Sequence, residues 1–304
     1  MAKIISDGAI TTRKYWIDEI QKLSGDFADD TERLEDELGE EIEKNGASTL
    51  INHLRLCGNI PESYTHDSSE EKLYSKYTDS LLCFAYKKIG LNSVVLKERA
   101  DVADVDAFAE QYSFVADAKA FRLSRSAKNQ KDFKVQAMDG WKHGKPFAMV
   151  VCPIYQLPTR SSQIYLQASA QEVCIFTYSH LSLLVNYAIE EGNGNAEELL
   201  HEIFKTIPLL NPSKSAVDYW SAINKTILKH SEVIKELWKV EKEAATESTE
   251  IAKKEGLKFL ADERKKIMKM SRDEALKELI KVSNIENKIK IIHSISDSGL
   301  FKIK

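Results

Sequence analysis

The chain has 304 residues, of which 43% are hydrophobic and 30% charged, and its formal net charge is −4. This length and composition are typical of a globular protein with a full hydrophobic core, built as one large domain or as one domain with appendages. No apolar run approaches the roughly 18 residues of a membrane span and the N-terminus has no secretory pattern, so we expect a cytoplasmic protein without a membrane partner.

The first 66 residues predict an N-terminal helical region. Apolar residues of positions 11–23 recur near helical spacing. Positions 29–44 form an acidic amphipathic stretch with Leu34, Leu38 and Ile42 at intervals of four. The nine acids of this stretch are typical of a solvated helix face. The four widely spaced cysteines make no metal-ligand pattern, and we expect reduced, buried thiols.

Residues 67–191 predict an α/β core. A helix begins at Ser68-Ser69-Glu70-Glu71 and runs to Gly90. Two strand-like runs then predict a hairpin, and the pattern turns helical beyond Ser124. The later segments are two buried strands and two helices, at positions 147–152, 161–170, 173–178 and 180–189. This alternation predicts a mixed sheet flanked by helices.

Positions 192–304 show only helical patterns. The boundary is placed at Glu191-Gly192-Asn193-Gly194, where two glycines and an asparagine fall within four residues. We interpret this C-terminal region as a helical appendage or a dimerisation element.

The two hairpin strands, at positions 102–108 and 113–121, carry the candidate site. Successive side chains of a strand point to opposite faces, so Asp117 and Lys119 share one face, and Asp104 lies on the preceding strand. Burying a carboxylate beside an ammonium is a poor way to stabilise a fold, which favours a functional site. The alternative interpretation is a structural ion pair.

The spacing of these residues fits metal-dependent hydrolysis of a phosphodiester. Asp104 and Asp117 can hold Mg²⁺ together with a main-chain carbonyl, for which we select Ala118. Lys119 then lies beside the attacking water or the phosphate and stabilises the transition state. Asp106 shares the face of Asp104 and is a rival ligand, although we prefer to interpret it as a polar residue at the hairpin end. Glu98 is a weaker catalytic candidate.

A basic segment follows the candidate site directly. Residues 119–145 carry eight basic and two acidic side chains, a balance of +6, so the remainder carries −10. The negative net charge alone argues against a nucleic-acid partner, but a basic segment on an acidic body suits local binding of a polyanion. We expect a helix here that contacts DNA phosphates and base edges. The DNA-binding candidates are Arg122, Ser124, Arg125, Lys128, Asn129, Lys131, Asp132 and Lys134.

The run from Phe114 to Val135 closely resembles the central segment of the HindIII family of type II restriction endonucleases. The likeness extends more loosely from Glu71-Lys72-Leu73 through Ser179-His180-Leu181. The resemblance implies a PD-(D/E)xK restriction-endonuclease-like fold and a Mg²⁺-dependent homodimer that cuts double-stranded DNA at AAGCTT and leaves 5′ overhangs. It also implies a companion methyltransferase that protects the same site in the host.

The resemblance also assigns roles to individual residues. It places the metal-binding acids at Asp104 and Asp117 and the catalytic lysine at Lys119. Asn129 falls in the DNA-reading segment, and Asp132 matches an acid near the active site. The family has one further acid near Leu96-Lys97-Glu98-Arg99, where alignment by the arginine selects Lys97, with Glu98 one step away.

The leading hypothesis is therefore a type II restriction endonuclease. One alternative is a structure-specific or repair DNA nuclease on the same core, which cuts without a fixed sequence. The other is a non-catalytic DNA-binding protein in which Asp117 and Lys119 form only an ion pair.

Overall fold

The computed structural model describes residues 3–97, 102–125, 130–160 and 162–294, with the backbone alone for residues 130, 131 and 294. The chain forms one compact unit up to Gly256 and a second unit from Leu257. The first helices are α1 (Asp7–Ile20), α2 (Phe27–Asn45), α3 (Ala47–Leu56), α4 (Ser69–Ile89), α5 (Val135–Trp141) and α6 (Ile164–Ala170). The later helices are α7 (Tyr178–Glu191), α8 (Asn193–Thr206), α9 (Ala216–His230), α10 (Glu232–Lys269), α11 (Arg272–Val282) and α12 (Ile285–Ser294).

The strands form one mixed sheet in the order β1-β2-β3-β4-β5. They are β1 (Asn92–Val95), β2 (Val105–Phe108), β3 (Ser113–Ala118), β4 (Phe147–Cys152) and β5 (Val173–Thr177). The first three strands are antiparallel, and β3, β4 and β5 are parallel. All five β5 residues are buried, as expected for a parallel strand covered on both faces. The sheet and its flanking helices confirm the predicted α/β class and the hairpin.

Strand β1 was absent from the sequence prediction. It has only four residues, and three of them are exposed or half-buried, because it forms the edge of the sheet beyond β2. An edge strand this short has too little alternation to be recognised by its pattern.

Helix α4 packs on the sheet and positions part of the candidate site. The Ser68 hydroxyl accepts a hydrogen bond from the Glu71 backbone N–H, and Gly90 ends the helix with a left-handed φ of 109°. Both ends confirm the prediction. The ring of Tyr86 meets that of Phe114 on β3 edge to face, with 5.0 Å between centroids. Helix α4 therefore crosses β3 with its buried face turned to the sheet.

The helix predicted beyond Ser124 is confirmed in its second part, where α5 spans Val135–Trp141. The described residues before it differ: Arg125 is not helical, Gln130–Phe133 is a 3₁₀ turn, and α5 begins only after Lys134, whose φ is 47°. Tertiary pairing fixes the start of this segment. The Phe121 backbone N–H donates to the Gly58 carbonyl at 3.0 Å, which continues the chain in an extended conformation beyond β3.

The polypeptide stays compact across the predicted boundary at Gly192. Helix α8 packs on the sheet, where the ring of His201 stacks on Tyr112 at 4.3 Å and Phe204 lies 4.8 Å from Phe114. In α9, the Tyr219 hydroxyl accepts from the Ile175 N–H at 2.7 Å. Because α8 and α9 complete the core, compactness does not separate residues 67–191 from those that follow. The three-region division remains a prediction about roles.

The four cysteines are buried and free, as expected. Among the described residues, the helices are too polar or too short to cross a membrane.

His180 at the start of α7 is a buried histidine held by uncharged groups. Its Nδ1 lies 2.6 Å from the Thr177 hydroxyl, and its Nε2 lies 3.2 Å from Asn224 Oδ1. The ring stacks on Trp220 and packs against Trp238. Burial lowers the pKa of His180 from 6.5 to about 4, because a charged imidazolium would lose its hydration there.

We expect His180 to make stability fall as the pH is lowered. The stabilisation by the neutral ring is complete above pH 6.5 and is lost as the pH falls towards 4, a difference of about 3 kcal/mol in the free energy of unfolding. Urea unfolding between pH 7 and pH 4 should therefore show a shallower pH dependence for His180→Gln than for wild type. The exposed His143, changed to Asn, is the control, and equal slopes for all three proteins would contradict the assignment.

Candidate metal centre and nucleic-acid groove

Three carboxylates meet where the hairpin faces helix α4. Val105 pairs with Ala116 in the antiparallel ladder, so Asp104, one residue before β2, lies next to Asp117 on β3. Asp79 on α4 completes the group, and single carboxylate oxygens of the three residues lie within 4.8 Å of one another. Oxygen ligands at such spacing suit a hard divalent cation such as Mg²⁺.

The surroundings of Asp117 are those expected of a metal ligand. Its side chain is 1% exposed, and its Oδ2 contacts Lys119 Nζ. Its Oδ1 is buried and receives no hydrogen bond from any described residue. A buried carboxylate oxygen without a donor is costly, and a bound cation removes this cost. The residues present therefore fit a divalent metal.

A second ammonium group lies on the other side of the cluster. Lys76, one helical turn before Asp79, places its Nζ 3.1 Å from Asp79 Oδ2 and 3.1 Å from Asp104 Oδ1. Each of the three carboxylates thus contacts a lysine. Lys119 contacts Asp117, and Lys76 contacts both Asp79 and Asp104.

Burial and neighbouring charges shift the pKa values of the side chains in this cluster. Burial, reinforced by the charge of Asp104, raises the pKa of Asp79 well above its usual range. Burial also raises the pKa of Asp117, although Lys119 opposes the shift. For Asp104, burial is outweighed by the positive charges of Lys76 and Lys119, and its pKa is lowered. Burial lowers the pKa of Lys76, but the charges of Asp79 and Asp104 outweigh it and the net shift is upward. Asp104 is therefore the most readily ionised acid of the three.

The chain beyond β3 is fixed on both sides, which places Lys119. Its backbone N–H donates to the Val151 carbonyl at 2.7 Å, and two residues later Phe121 forms a bridge to Asn59. A Cβ at Gly58 would lie 2.7 Å from Cβ of Pro153, so only glycine permits this close approach.

Two cavities adjoin the cluster, and Lys72 and Lys134 line both of them. The larger, of about 840 Å³, is also lined by Lys76 and Asp104. The other, of about 580 Å³, is lined by Lys119 and by five of the DNA-binding candidates: Arg122, Ser124, Arg125, Asp132 and Lys134. Because they share walls, the two cavities are parts of one groove that passes the carboxylates. Seven lysine and arginine side chains line this groove: Lys72, Lys76, Lys97, Lys119, Arg122, Arg125 and Lys134.

Two predicted DNA-binding side chains, Arg122 and Ser124, contact residues of the segment 62–71. Arg122 forms an ion pair with Glu71 at 2.9 Å and donates to the Tyr64 carbonyl at 2.8 Å. The Ser124 hydroxyl donates to Glu62 Oε2 at 2.7 Å. Arg122 is mostly buried in these contacts, so its first role in this structure is to hold the segment in place.

The other members of that set differ in their surroundings. Arg125 pairs with Asp132 at 2.6 Å and lies over the Phe121 ring. Lys134 Nζ lies 5.1 Å from the Trp141 ring centroid. Lys128, Asn129 and the side chain of Lys131 lie outside the described residues.

Asp106, the rival ligand of the sequence analysis, lies outside the carboxylate cluster. It forms an ion pair with Lys145 at 3.0 Å. Lys97, the position selected by alignment, has a side chain that is 83% exposed, and its Nζ lies 3.8 Å from Glu32 Oε1. Glu98 lies outside the described residues.

Sequence reasoning missed Asp79 and Lys76. Asp79 lies in the polar run Thr78-Asp79-Ser80, inside a helix whose neighbouring residues Tyr77 and Leu81 are buried. An acid within the buried stripe of a helix was the available signal, because buried acids are rare without a partner or a function.

Comparisons with known proteins relate the whole chain to one family of enzymes. A family model described as HindIII restriction endonuclease matches residues 13–296. The chain is 34% identical over 262 residues to the type II restriction enzyme HindIII of Haemophilus influenzae, an alignment that covers 83% of this chain and 85% of that enzyme.

We expect Asp79→Asn to weaken binding of a divalent cation by about tenfold or more, because it removes one of three anionic ligands. Asparagine has the same shape and keeps a side-chain oxygen that can accept the hydrogen bond from Lys76, so the fold should be retained. Isothermal titration with Mg²⁺ measures the affinity. Asp106→Asn on the neighbouring strand is the matched control and should bind as wild type does. Equal affinity of Asp79→Asn and wild type would remove Asp79 from the site.

Proposed function

Because the chain belongs to the HindIII restriction endonuclease family, whose members are type II site-specific deoxyribonucleases, we propose that it cleaves double-stranded DNA at the palindrome AAGCTT. We further propose that the reaction depends on Mg²⁺ and leaves 5′ overhangs. The observation that carries the proposal is the convergence of Asp104, Asp117 and Lys119 at the edge of a basic groove. These are the residues that the resemblance selects for metal binding and catalysis.

In this proposal the carboxylates of Asp104 and Asp117, with the main-chain carbonyl of Ala118, hold the cation, and Asp79 is a further ligand. A Mg²⁺ ion bound there stabilises the negative charge that develops on the scissile phosphate and makes water a stronger acid. Lys119 stays ion-paired with Asp117 until substrate binds, and then directs its ammonium at the phosphate or at the attacking water. The buried position of Asp117 keeps the local dielectric low and strengthens these interactions.

The basic groove is the proposed DNA site. Arg125, with 42% of its side chain exposed, and Lys134 line it together with Lys119. Lys128, Asn129 and Lys131 remain proposed DNA contacts, as does Glu98 a proposed catalytic residue. Arg122, Ser124 and Asp132 are proposed to act chiefly by holding this segment, through their contacts with Glu71, Glu62 and Arg125.

A palindrome is read most simply by a two-fold dimer, in which each subunit cuts one strand. The second unit of the chain offers a surface for this. In α11, Leu276, Leu279 and Ile280 share one helix face at intervals of three and four, and they are 48%, 62% and 44% exposed. An apolar stripe this exposed suits burial against a second copy of the chain. We propose a cytoplasmic homodimer, in a host whose companion methyltransferase protects the same site.

We expect purified protein with Mg²⁺ to cut plasmid DNA into discrete fragments whose sequenced ends map to AAGCTT. Asp117→Asn and Lys119→Ala should each lower the cleavage rate by about 10³-fold, because they remove a metal ligand and the charge at the phosphate. Circular dichroism should show an unchanged fold. Lys88→Ala, an exposed lysine at the far end of α4, should retain full activity.

The same digestion separates the alternatives. Cleavage of branched or damaged DNA without fixed ends would indicate a structure-specific or repair nuclease. Mg²⁺-independent binding of AAGCTT duplexes with no cleavage under any condition would indicate a non-catalytic DNA-binding protein. Full activity of Lys119→Ala would remove that residue from the reaction.

We expect Leu276→Lys/Leu279→Lys to convert the dimer to a monomer, because two buried charges without partners oppose association. Sedimentation velocity measures the assembly state. Lys277→Ala, which changes an exposed residue of the same helix without altering the apolar stripe, is the control. A dimer that survives the double substitution would place the interface elsewhere.

A further inference from the structure

Lys76 occupies the position between two carboxylates where a cation belongs. Its Nζ lies 3.1 Å from both Asp79 Oδ2 and Asp104 Oδ1. Among the described residues, these two acids belong to the one carboxylate cluster that also includes the buried, donor-free Asp117 Oδ1. The ammonium therefore makes the contacts that two ligands would otherwise offer to a metal.

Electrostatic repulsion among the carboxylates explains why an ammonium group lies between Asp79 and Asp104. Three carboxylates within 4.8 Å repel one another strongly when they are partly buried. Lys119 neutralises Asp117, and Lys76 neutralises the other pair. Without the second lysine, Asp79, which is 2% exposed, would face Asp104 with no compensating charge in the metal-free protein.

The side chain of Lys76 can also reach a second position, in the groove. Its side chain is 26% exposed, and it lines the larger of the two cavities of the groove. A lysine has four rotatable carbon–carbon bonds and carries a compact charge, so its Nζ can leave the carboxylates and point into the groove without a change in the helix. There the ammonium would meet a phosphate of bound DNA.

We propose that Lys76 is a resident counter-cation of the metal centre, which a divalent ion displaces and a DNA phosphate then receives. This inference rests on the proposed function, since it needs both a metal and a polyanion at this site. Lys76 is a positioning residue in this account. Its ammonium competes with the metal in the free protein, and the competition ends when DNA binds.

The arrangement couples the two ligands. A DNA phosphate that attracts Lys76 away from Asp79 and Asp104 raises the affinity of those acids for a divalent ion. By thermodynamic linkage the bound ion raises the affinity for DNA by the same factor. The free enzyme would therefore hold little metal, and the complete site would assemble on DNA.

Lys72 provides a matched control on the same helix. It lies one turn before Lys76 and lines the same cavity, and no ion pair involves it among the described residues. Removing either lysine subtracts one positive charge from the groove. Only removal of Lys76 takes an ammonium out of the carboxylate cluster.

The test is Mg²⁺ binding in the absence of DNA, measured by isothermal titration. We expect Lys76→Met to bind Mg²⁺ about tenfold more tightly than wild type or better, as follows from removing a unit charge a few ångströms from the ion. Lys76→Arg should stay near wild type, and Lys72→Met should change the affinity by about twofold or less. Lys76→Gln, which keeps a hydrogen-bond donor, is the second variant if Lys76→Met folds poorly, and it should also bind more tightly.

A second titration tests the coupling. With an AAGCTT duplex whose scissile linkages are charged but not hydrolysable, wild type should gain Mg²⁺ affinity on binding DNA, and Lys76→Gln should gain less. Unchanged Mg²⁺ affinity in Lys76→Gln and Lys76→Met, or an equal increase in Lys72→Met, would overturn the inference and leave the proposed function intact. Failure of all of these proteins to bind Mg²⁺ with or without DNA would instead contradict the proposed metal centre.

Discussion

The carboxylate cluster is the constraint on which the rest of this structure depends. Three acids from two strands and a helix are brought within 4.8 Å in a partly buried position, where like charges repel strongly. The protein tolerates this because two lysines supply opposite charge and because burial shifts Asp79 and Asp117 towards their neutral forms. Such a cluster is unfavourable for stability alone, and it is what a hard divalent cation requires.

The fold meets this constraint through two packing relations. The antiparallel register of β2 and β3 sets Asp104 beside Asp117, and the packing of α4 on the sheet adds Asp79. The parallel pairing of β3 with β4 continues to the backbone N–H of Lys119, and the bridge between Phe121 and Asn59 holds the chain beyond it. The catalytic lysine is thus placed by main-chain hydrogen bonds on both sides of the segment that carries it.

The groove beside the site combines positive charge with internal acidic partners. Arg122 and Arg125 are ion-paired with Glu71 and Asp132 in the protein without DNA. A phosphate that binds at either guanidinium competes with a carboxylate that is already there. This competition lowers affinity for DNA in general, and it favours a partner that offers enough additional contacts to compensate. The negative charge of the rest of the chain also lowers the affinity for DNA in general, because it repels the polyanion at longer range.

Local pattern was sufficient to predict the hairpin, the buried strands, the start and end of α4 and the pairing of Asp117 with Lys119. These features depend on the two-residue period of a strand, on helix capping, or on neighbours in the chain. The strongest expectations about the site also drew on the resemblance of Phe114 to Val135 to a known family, a likeness of side chains in order along the chain.

Tertiary structure decided what distant segments bring together. It selected Asp79 and Lys76 for the cluster, because only the packing of α4 on the sheet places a helix residue beside two strand residues. It paired Asp106 with Lys145, and it held Phe121 in an extended conformation by pairing it with the segment near Gly58. It also built α8 and α9 into the core across Gly192. The sequence determined which local conformations each segment prefers, but electrostatic and packing contacts between segments are set by the free energy of the whole fold, and no local pattern encodes them.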